Sequence, residues 1–233
     1  MLIGPSPATS GRWAPLPHFP FELIFFGEET FLEINGLVAA GGCYRDNCRA
    51  LFLSFAIYLS LGVMNIAPAT LTDAPQIAAI HVRSWQVAYS GILSSEFLDS
   101  LSTERRTAQW QDILHKQESQ TLVAHLPEGI AGFVSYGHWR DEHASELQGE
   151  IWALYAKPEA WGSGVGRALL GAAVRELRSL GRQSVLLWVL AKNTRGVRFY
   201  ENFGFKPVHG SSKLFELGGR QVEEVCLRLE PDA

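Results

Sequence analysis

Cysteine and charge are both sparse in this chain of 233 residues. Three cysteines are too few for a disulfide scaffold, so we expect a reducing, cytoplasmic environment. The 20 Lys and Arg do not outnumber the 24 Asp and Glu, and the formal net charge is −4. We therefore expect no nucleic-acid partner, because general nucleic-acid-binding proteins usually carry a basic excess. An apolar content of 47% is ordinary for globular proteins and excludes the disordered and collagen-like classes.

Several motifs of well-known enzyme classes are missing from the sequence. It contains no HExxH, no GxSxG and no pair of CxxC motifs, so metalloprotease, serine hydrolase and zinc-finger functions have no support. We expect no metal cofactor. Cys226 lies in an apolar strand pattern, which predicts a core residue and not a nucleophile.

The composition changes near Met64, which predicts an N-terminal extension over residues 1–63 and one domain over residues 64–233. The extension ends in the apolar run LFLSFAIYLSLGV, Leu51 to Val63. A membrane span needs about 20 apolar residues, so the run is short for one, although attachment to a membrane through it stays open. Our expectation is no membrane partner, with a natural start at Met64 and full activity of a chain beginning there. Cys43 and Cys48 have no second pair to complete a metal site.

The pattern of residues 64–233 predicts an α/β or α+β domain with a mixed sheet. Asp73, with Gln76 three residues later, predicts a capping box at the start of a helix. Three strand-like runs follow two further helices, and SVLLWVL (184–190) has the continuous apolar character of a strand covered on both faces. The clearest helix is predicted over 164–180. The predicted strands near 205–217 and 221–229 form a terminal hairpin.

A glycine-rich loop, WGSGVGR (161–167), lies between a predicted strand and the long helix. Glycines remove Cβ atoms, so backbone N–H groups can converge on an anion, and the helix adds its unpaired N–H groups and its positive dipole end. The spacing matches neither the dinucleotide fingerprint nor the Walker loop. A phosphate site and a tight turn without ligand are both compatible with this pattern.

Residues Glu150 to Phe205 resemble the core of the GNAT N-acetyltransferase superfamily. Three pieces carry the resemblance in order: EIWALYAKPEAWGSGVGRALL, LLWVLAKN ending at Asn193, and FYENFGF at 199–205. Trp161 stands where the family usually has Gln or Arg, which puts a side-chain contact of that position in doubt. The resemblance implies a mixed, mostly antiparallel sheet with two splayed parallel strands, flanked by helices.

The resemblance also implies that acetyl-CoA is the co-substrate and lies between the splayed strands. It places the backbone of Leu154 and Ala156 on the pantetheine arm and the loop N–H groups on the pyrophosphate. The cofactor contacts implied are Leu154, Tyr155, Ala156, Gly162, Ser163, Gly164, Val165, Gly166, Arg167 and Asn193. Asn193 could equally cap the following helix.

The implied general acid is Tyr200, and our candidate general base is Glu150, which begins the cofactor strand. Each residue is also compatible with a non-catalytic role. Tyr200 could be a packing residue of a short helix, and Glu150 could be a solvated carboxylate at the edge of the sheet. His138 and His143 are rival bases because imidazole titrates near neutral pH. Four aromatic residues could line an acceptor pocket: Trp85, Tyr89, Trp139 and Trp152. Aromatic residues at such positions more often belong to the core.

These inferences favour an N-acetyltransferase that moves an acetyl group from acetyl-CoA to a primary amine by direct attack. A non-catalytic acyl-CoA-binding or regulatory domain of the same fold is the alternative. The acceptor, a small molecule or a peptide, is not readable from the sequence, and a homodimer is compatible with it.

Overall fold

The computed structural model describes residues 64–141 and 144–231. The apolar run at 51–63, Cys43, Cys48 and His143 lie outside the described residues. None of the helices in the described part is long and apolar enough to cross a membrane.

Five α-helices and eight strands build the described fold; three helices follow the first strand, and one helix lies on either side of the fifth strand. The helices are α1 Ala74–Ala88, α2 Ser95–Asp99, α3 Thr103–Lys116, α4 Val165–Ser179 and α5 Thr194–Phe203. The strands are β1 Asn65–Pro68, β2 Gln120–Leu126, β3 Gly129–His138, β4 Gln148–Ala156, β5 Ser184–Leu190, β6 Lys206–Pro207, β7 Lys213–Leu217 and β8 Arg220–Leu229.

The strands form one sheet in the order β1-β2-β3-β4-β5-β8-β6, with β7 also paired to β8. Only β4 and β5 run parallel, and their pairing stops after three residue pairs, the last being Glu150 with Leu186. Beyond that pair the two strands separate toward their C-terminal ends. The mixed, mostly antiparallel sheet with one splayed parallel pair confirms the predicted fold class.

Helices cover the sheet from both sides, and glycines let α4 approach closely. A Cβ at Gly149 would lie 2.8 Å from a Leu177 methyl carbon, so this strand residue faces α4. On the other face, the Tyr155 ring stacks on His81 of α1 at 4.4 Å between centroids. We call these two sides the α4 face and the α1 face.

Glu150 and Leu186 lie on the α1 face, because neighbouring residues of a strand point to opposite sides and Gly149 faces α4. Trp188, two residues beyond Leu186, shares this face. A second aromatic cluster, distinct from the main core, forms around it and consists of Trp139, Leu186, Trp188 and Cys226.

Two local predictions were wrong in detail. The Asp73 side chain does not cap α1; its carboxylate accepts from the backbone N–H of Thr70 (2.7 Å), and Gln76 instead accepts from the backbone N–H of Ile130 (3.3 Å). The strand predicted over 205–217 is two short strands. Pro207, which has no N–H, ends β6, and Gly210 with a φ of 74° turns the chain before β7.

Candidate active site

The gap between β4 and β5 exposes main-chain groups of β4. The backbone N–H of Lys157 donates to the Ala131 carbonyl (2.7 Å), which fixes the alternation of the β3–β4 ladder. Tyr155 therefore pairs with β3, whereas the N–H and C=O groups of Leu154 and Ala156 point away from β3, toward the gap. Beyond Glu150, β5 supplies no ladder partner on this side. An extended amide-bearing chain can pair with such an edge as an added strand does.

Ala156 differs from Leu154 because its carbonyl already has partners. It accepts from the Ser84 hydroxyl (2.9 Å) and from the indole N–H of Trp161 (3.2 Å). The outward groups left for a ligand are thus centred on Leu154 and on the Ala156 N–H. Trp161, the departure from the resembled family, ties the glycine loop back to the end of β4.

The glycine loop meets the start of α4 with two residues in the left-handed region of backbone conformation. Gly162 and Gly164 have φ values of 80° and 89°, and a Cβ at either position would meet nothing within 4 Å. The space beside both glycines is therefore open, and only the missing side chains keep it so. Ser163 is exposed, and its hydroxyl donates to the Ala160 carbonyl (2.7 Å).

The first turn of α4 directs its N–H groups into this space. The first intrahelical bond runs from the Ala168 N–H to the Gly164 carbonyl, so the N–H groups of Val165 and Gly166 have no acceptor within the helix. Two guanidinium groups lie nearby on aromatic rings. Arg167 lies 5.5 Å from the centre of the Phe203 ring, and Arg195 lies 4.5 Å from that of Trp161.

Tyr200 sits on α5, which begins beside the end of β5. Asn193 caps this helix, its side-chain oxygen accepting from the Gly196 N–H at 2.8 Å. The Tyr200 ring is buried edge-on between Phe199 and Phe205. Burial raises the pKa of Tyr200 far above its ordinary value, so the phenol keeps its proton until a strong base accepts it.

Glu150 is buried at the point where β4 and β5 begin to separate. Its carboxylate accepts from the backbone N–H of Arg140 (3.1 Å) and from the guanidinium of the same residue. Burial raises the pKa of Glu150, and the hydrogen bonds and charge of Arg140 offset part of that rise. The guanidinium also lies over the Trp152 ring, 4.2 Å from its centre. Glu150 is therefore a buried carboxylate hydrogen-bonded by Arg140, and not a solvated residue at the edge of the sheet.

His138, the rival base within the described residues, is exposed at the end of β3. Its ring meets Trp152 edge-on at 5.6 Å, and its charge contributes to lowering the pKa of Glu150. His138 thus neighbours the Glu150 site from the solvent side.

Four buried polar side chains, Tyr89, Tyr155, Tyr200 and Glu224, form one group, and sequence reasoning missed one of its members. Burial raises the pKa of Tyr89 and Tyr155, and Tyr200 and Glu224 raise both further, which places the four groups within electrostatic reach of one another. Glu224 was assigned only to a strand. The available signal was the alternation Val222, Glu224, Cys226, which turns a carboxylate inward with two apolar residues.

The four aromatic residues proposed for an acceptor pocket fall into two groups. Trp85 and Tyr89 belong to the main core, with rings 5.6 Å apart. Trp139 joins the second aromatic cluster, and Trp152 is the extra residue of a β-bulge, because Ser135 pairs with Ala153 and Tyr136 with Ile151. The bulge interrupts β4 between Ile151 and Ala153, two residues after Glu150.

An open sheet with one splayed parallel pair, a main-chain edge in the gap and a glycine loop at a helix start match the features expected for the class of acetyl-CoA-dependent transferases that the sequence resembles. Comparison with known proteins agrees with this class: residues 82–205 match the profile described as "Acetyltransferase (GNAT) family". The chain belongs to this family, which confirms the resemblance found in the sequence.

Relatives and solved structures extend the comparison. An uncharacterized N-acetyltransferase, YuaI of Bacillus subtilis (strain 168), is 30% identical over 166 residues, covering 71% of this chain and 92% of the relative. Mycothiol acetyltransferase of Acidothermus cellulolyticus is 40% identical over 175 residues, 66% of this chain and 51% of the relative. The chain spans about half of that relative's length and covers 27% of its counterpart from Nocardia farcinica.

Among solved structures, the fold resembles a ribosomal-protein-alanine N-acetyltransferase from Brucella melitensis, with a TM-score of 0.57, 22% identity and coverage of 71% and 99% of the two chains. It also resembles the PaiA N-acetyltransferase from Thermoplasma acidophilum in complex with coenzyme A, with a TM-score of 0.56, 22% identity and coverage of 72% and 98%. At this identity the likeness concerns the fold.

Proposed function

We propose that the protein transfers the acetyl group of acetyl-CoA to a primary amine of an acceptor, by direct attack within a ternary complex. The observation that carries the proposal is that the parts of the candidate site follow one another along β4 and into the glycine loop. A main-chain edge at Leu154 and Ala156 runs from the buried carboxylate of Glu150 to the open glycine loop at 162–166, and Tyr200 lies on the helix beside it.

The residues present fit coenzyme A. Positions beside Gly162 and Gly164 that a Cβ would fill are open, and the N–H groups of Val165 and Gly166 precede the first intrahelical bond. Several convergent donors suit a diphosphate better than a single carboxylate. We assign the cofactor contacts to Leu154, Tyr155, Ala156, Gly162, Ser163, Gly164, Val165, Gly166, Arg167 and Asn193. The side-chain oxygen of Asn193 also caps α5.

Bound acetyl-CoA would supply the thioester, and the chain supplies the proton acceptor and donor. Glu150 receives the proton of the incoming ammonium, directly or through water, because only a neutral amine has a lone pair for attack. Its raised pKa brings it closer to neutral pH and favours this role. Tyr200 is the proposed donor of a proton to the leaving thiolate. Burial keeps the phenol protonated but also makes it a weaker acid, so the transfer needs close contact between the phenol oxygen and the sulfur. No side chain forms a covalent intermediate with the acetyl group.

The proposal is tested by two measurements on the full chain. Calorimetry measures coenzyme A binding, and a free-thiol assay measures its release from acetyl-CoA against a diverse amine library. We expect binding and amine-dependent thiol release. Binding without release for any amine would favour a non-catalytic acyl-CoA-binding domain, and no binding at millimolar coenzyme A would reject both functions.

A further inference from the structure

The second aromatic cluster holds an ammonium group of the chain itself. The indole rings of Trp139 and Trp188 are stacked, 6.1 Å apart and within 11° of parallel. The Lys213 ammonium lies 3.9 Å from the centre of the Trp188 ring and 3.8 Å from a carboxylate oxygen of Asp141. An indole face with a carboxylate at its edge is a favourable environment for an organic cation.

This ammonium lies on the same side of the sheet as the proposed base. Trp188 follows Leu186 by two residues on β5, and Leu186 is the last partner of Glu150, so all three side chains share the α1 face. Cys226 pairs with Trp188 across β5 and β8, and the charges that affect its pKa show which groups lie near it. Burial raises the pKa of its thiol to about 12, Glu150 and Asp141 contribute to that rise, and Lys213 opposes it.

Lys213 is able to leave this position. Its side chain is 56% exposed, and a lysine ammonium sits on a flexible stem with three rotatable donors. The Asp141 side chain is 31% exposed, and the face of the Trp188 ring lies under the Lys213 ammonium. Movement of one exposed side chain would therefore uncover an indole face and a carboxylate beside Glu150.

We infer that the Trp188 ring with the Asp141 carboxylate is the docking site for the acceptor as an alkylammonium ion, and that Lys213 occupies this site when no acceptor is bound. The inference rests on the proposed function for the identity of the ligand as an acceptor. It adds the substrate class, a primary amine protonated on arrival, and gives Lys213 the role of an internal competitor.

The local charges favour a cation over an anion as the ligand. Three carboxylates face this region: Glu150, which pairs with Arg140, Asp141, which Lys213 contacts, and Glu224 on the α1 face. Arg140 is held by Glu150. When Lys213 moves away, its contact with Asp141 is broken, and an incoming ammonium can make the same contact. A carboxylate ligand would instead bind Lys213 and leave the indole face covered.

The test uses n-pentylammonium as the probe and n-pentanoate as its anionic counterpart, both without acetyl-CoA. Ligand-observed NMR measures affinity, and an upfield shift of the methylene protons next to nitrogen reports contact with an indole face. In the variant Lys213→Met, we expect affinity for pentylammonium to rise about tenfold, because the competing cation is gone. Adding Trp188→Leu to Lys213→Met should abolish both the affinity gain and the shift.

The matched control is Lys206→Met, which removes an exposed lysine of β6. It should leave pentylammonium binding at the wild-type level, and thermal unfolding of every variant checks the fold. Equal effects of the two lysine variants, or pentanoate binding that Lys213→Met abolishes, would overturn the inference. Coenzyme A binding is measured in parallel. Coenzyme A binding without pentylammonium binding rejects only this inference. The reverse result rejects the proposed function, and with it the acceptor identity of the ligand, while the cation site itself stands.

Discussion

At the scale of single residues, the proposed function depends on two buried groups whose pKa values are shifted by their surroundings. Burial is the cause of the raised pKa of Tyr200. Glu150 has a pKa set by opposing effects, burial raising it and Arg140 lowering it. Such pairs of groups with separate environments are typical of acid and base assignments in active sites.

The variant Tyr200→Phe removes the proposed acid while keeping the buried ring. We expect kcat to fall about 100-fold and acetyl-CoA affinity to change little, because the phenol acts on the leaving group and not on cofactor binding. Steady-state kinetics and calorimetry measure the two quantities. The control is Tyr136→Phe, since burial raises the pKa of Tyr136 to about 12 but this residue lies on β3. An unchanged kcat in Tyr200→Phe would remove the assignment.

The variant Arg140→Met tests Glu150 through its pH dependence. Arg140 lowers the pKa of Glu150, so its loss should raise that pKa further. Because the base must be deprotonated, the acidic limb of the pH profile of kcat should move to higher pH. The uncompensated buried carboxylate should also destabilise the fold by about 3–5 kcal/mol at neutral pH, less at low pH.

The control for this prediction is Arg83→Met, which breaks an exposed ion pair with Glu159 away from the site. It should leave the pH profile in place. A purely structural role of the Glu150 pair would lower kcat in Arg140→Met at every pH without moving the limb, and this result would contradict the proposed base.

At the scale of elements, the glycine loop and α4 form a unit whose conformation excludes side chains. Gly162 and Gly181 offer a matched pair, with φ values of 80° and 81° and open space at both Cβ positions. Alanine at either site should destabilise the fold by about 1–2 kcal/mol through the left-handed backbone. Only Gly162→Ala places a methyl group where we expect the diphosphate.

We therefore expect Gly162→Ala to weaken coenzyme A binding at least about tenfold, since hydrogen bonds to a charged group contribute about 1.5–3 kcal/mol each. Gly181→Ala should bind coenzyme A as the wild type does. Calorimetry gives the affinities, and thermal unfolding shows whether the two variants are equally strained. If both variants lost coenzyme A binding equally, backbone strain and not contact between the glycine loop and the diphosphate would explain the loss.

Sequence patterns predicted the elements with strong periodicity and missed features that depend on distant partners. The strand at 184–190 was predicted with its correct bounds because continuous apolar residues require cover on both faces. The roles of Gln76 and Asp73 were missed because a backbone donor from β3 and a preceding turn compete for the same side chains. No local pattern shows that Arg140 holds Glu150 ten residues away, or that Lys213 reaches Trp188.

At the scale of the whole molecule, the sheet begins at β1, and this edge strand gives a test of the domain boundary at Met64. β1 pairs antiparallel with β2 through four residue pairs, and Met64 and Ile66 pack against the main core. We predict that a chain of residues 64–233 keeps the thermal unfolding temperature and kcat of the full chain. A chain of residues 74–233, which also lacks β1, should unfold at lower temperature because the edge of β2 loses its ladder partners. Loss of folding or activity in the chain of 64–233 would show that residues 1–63 belong to the functional domain.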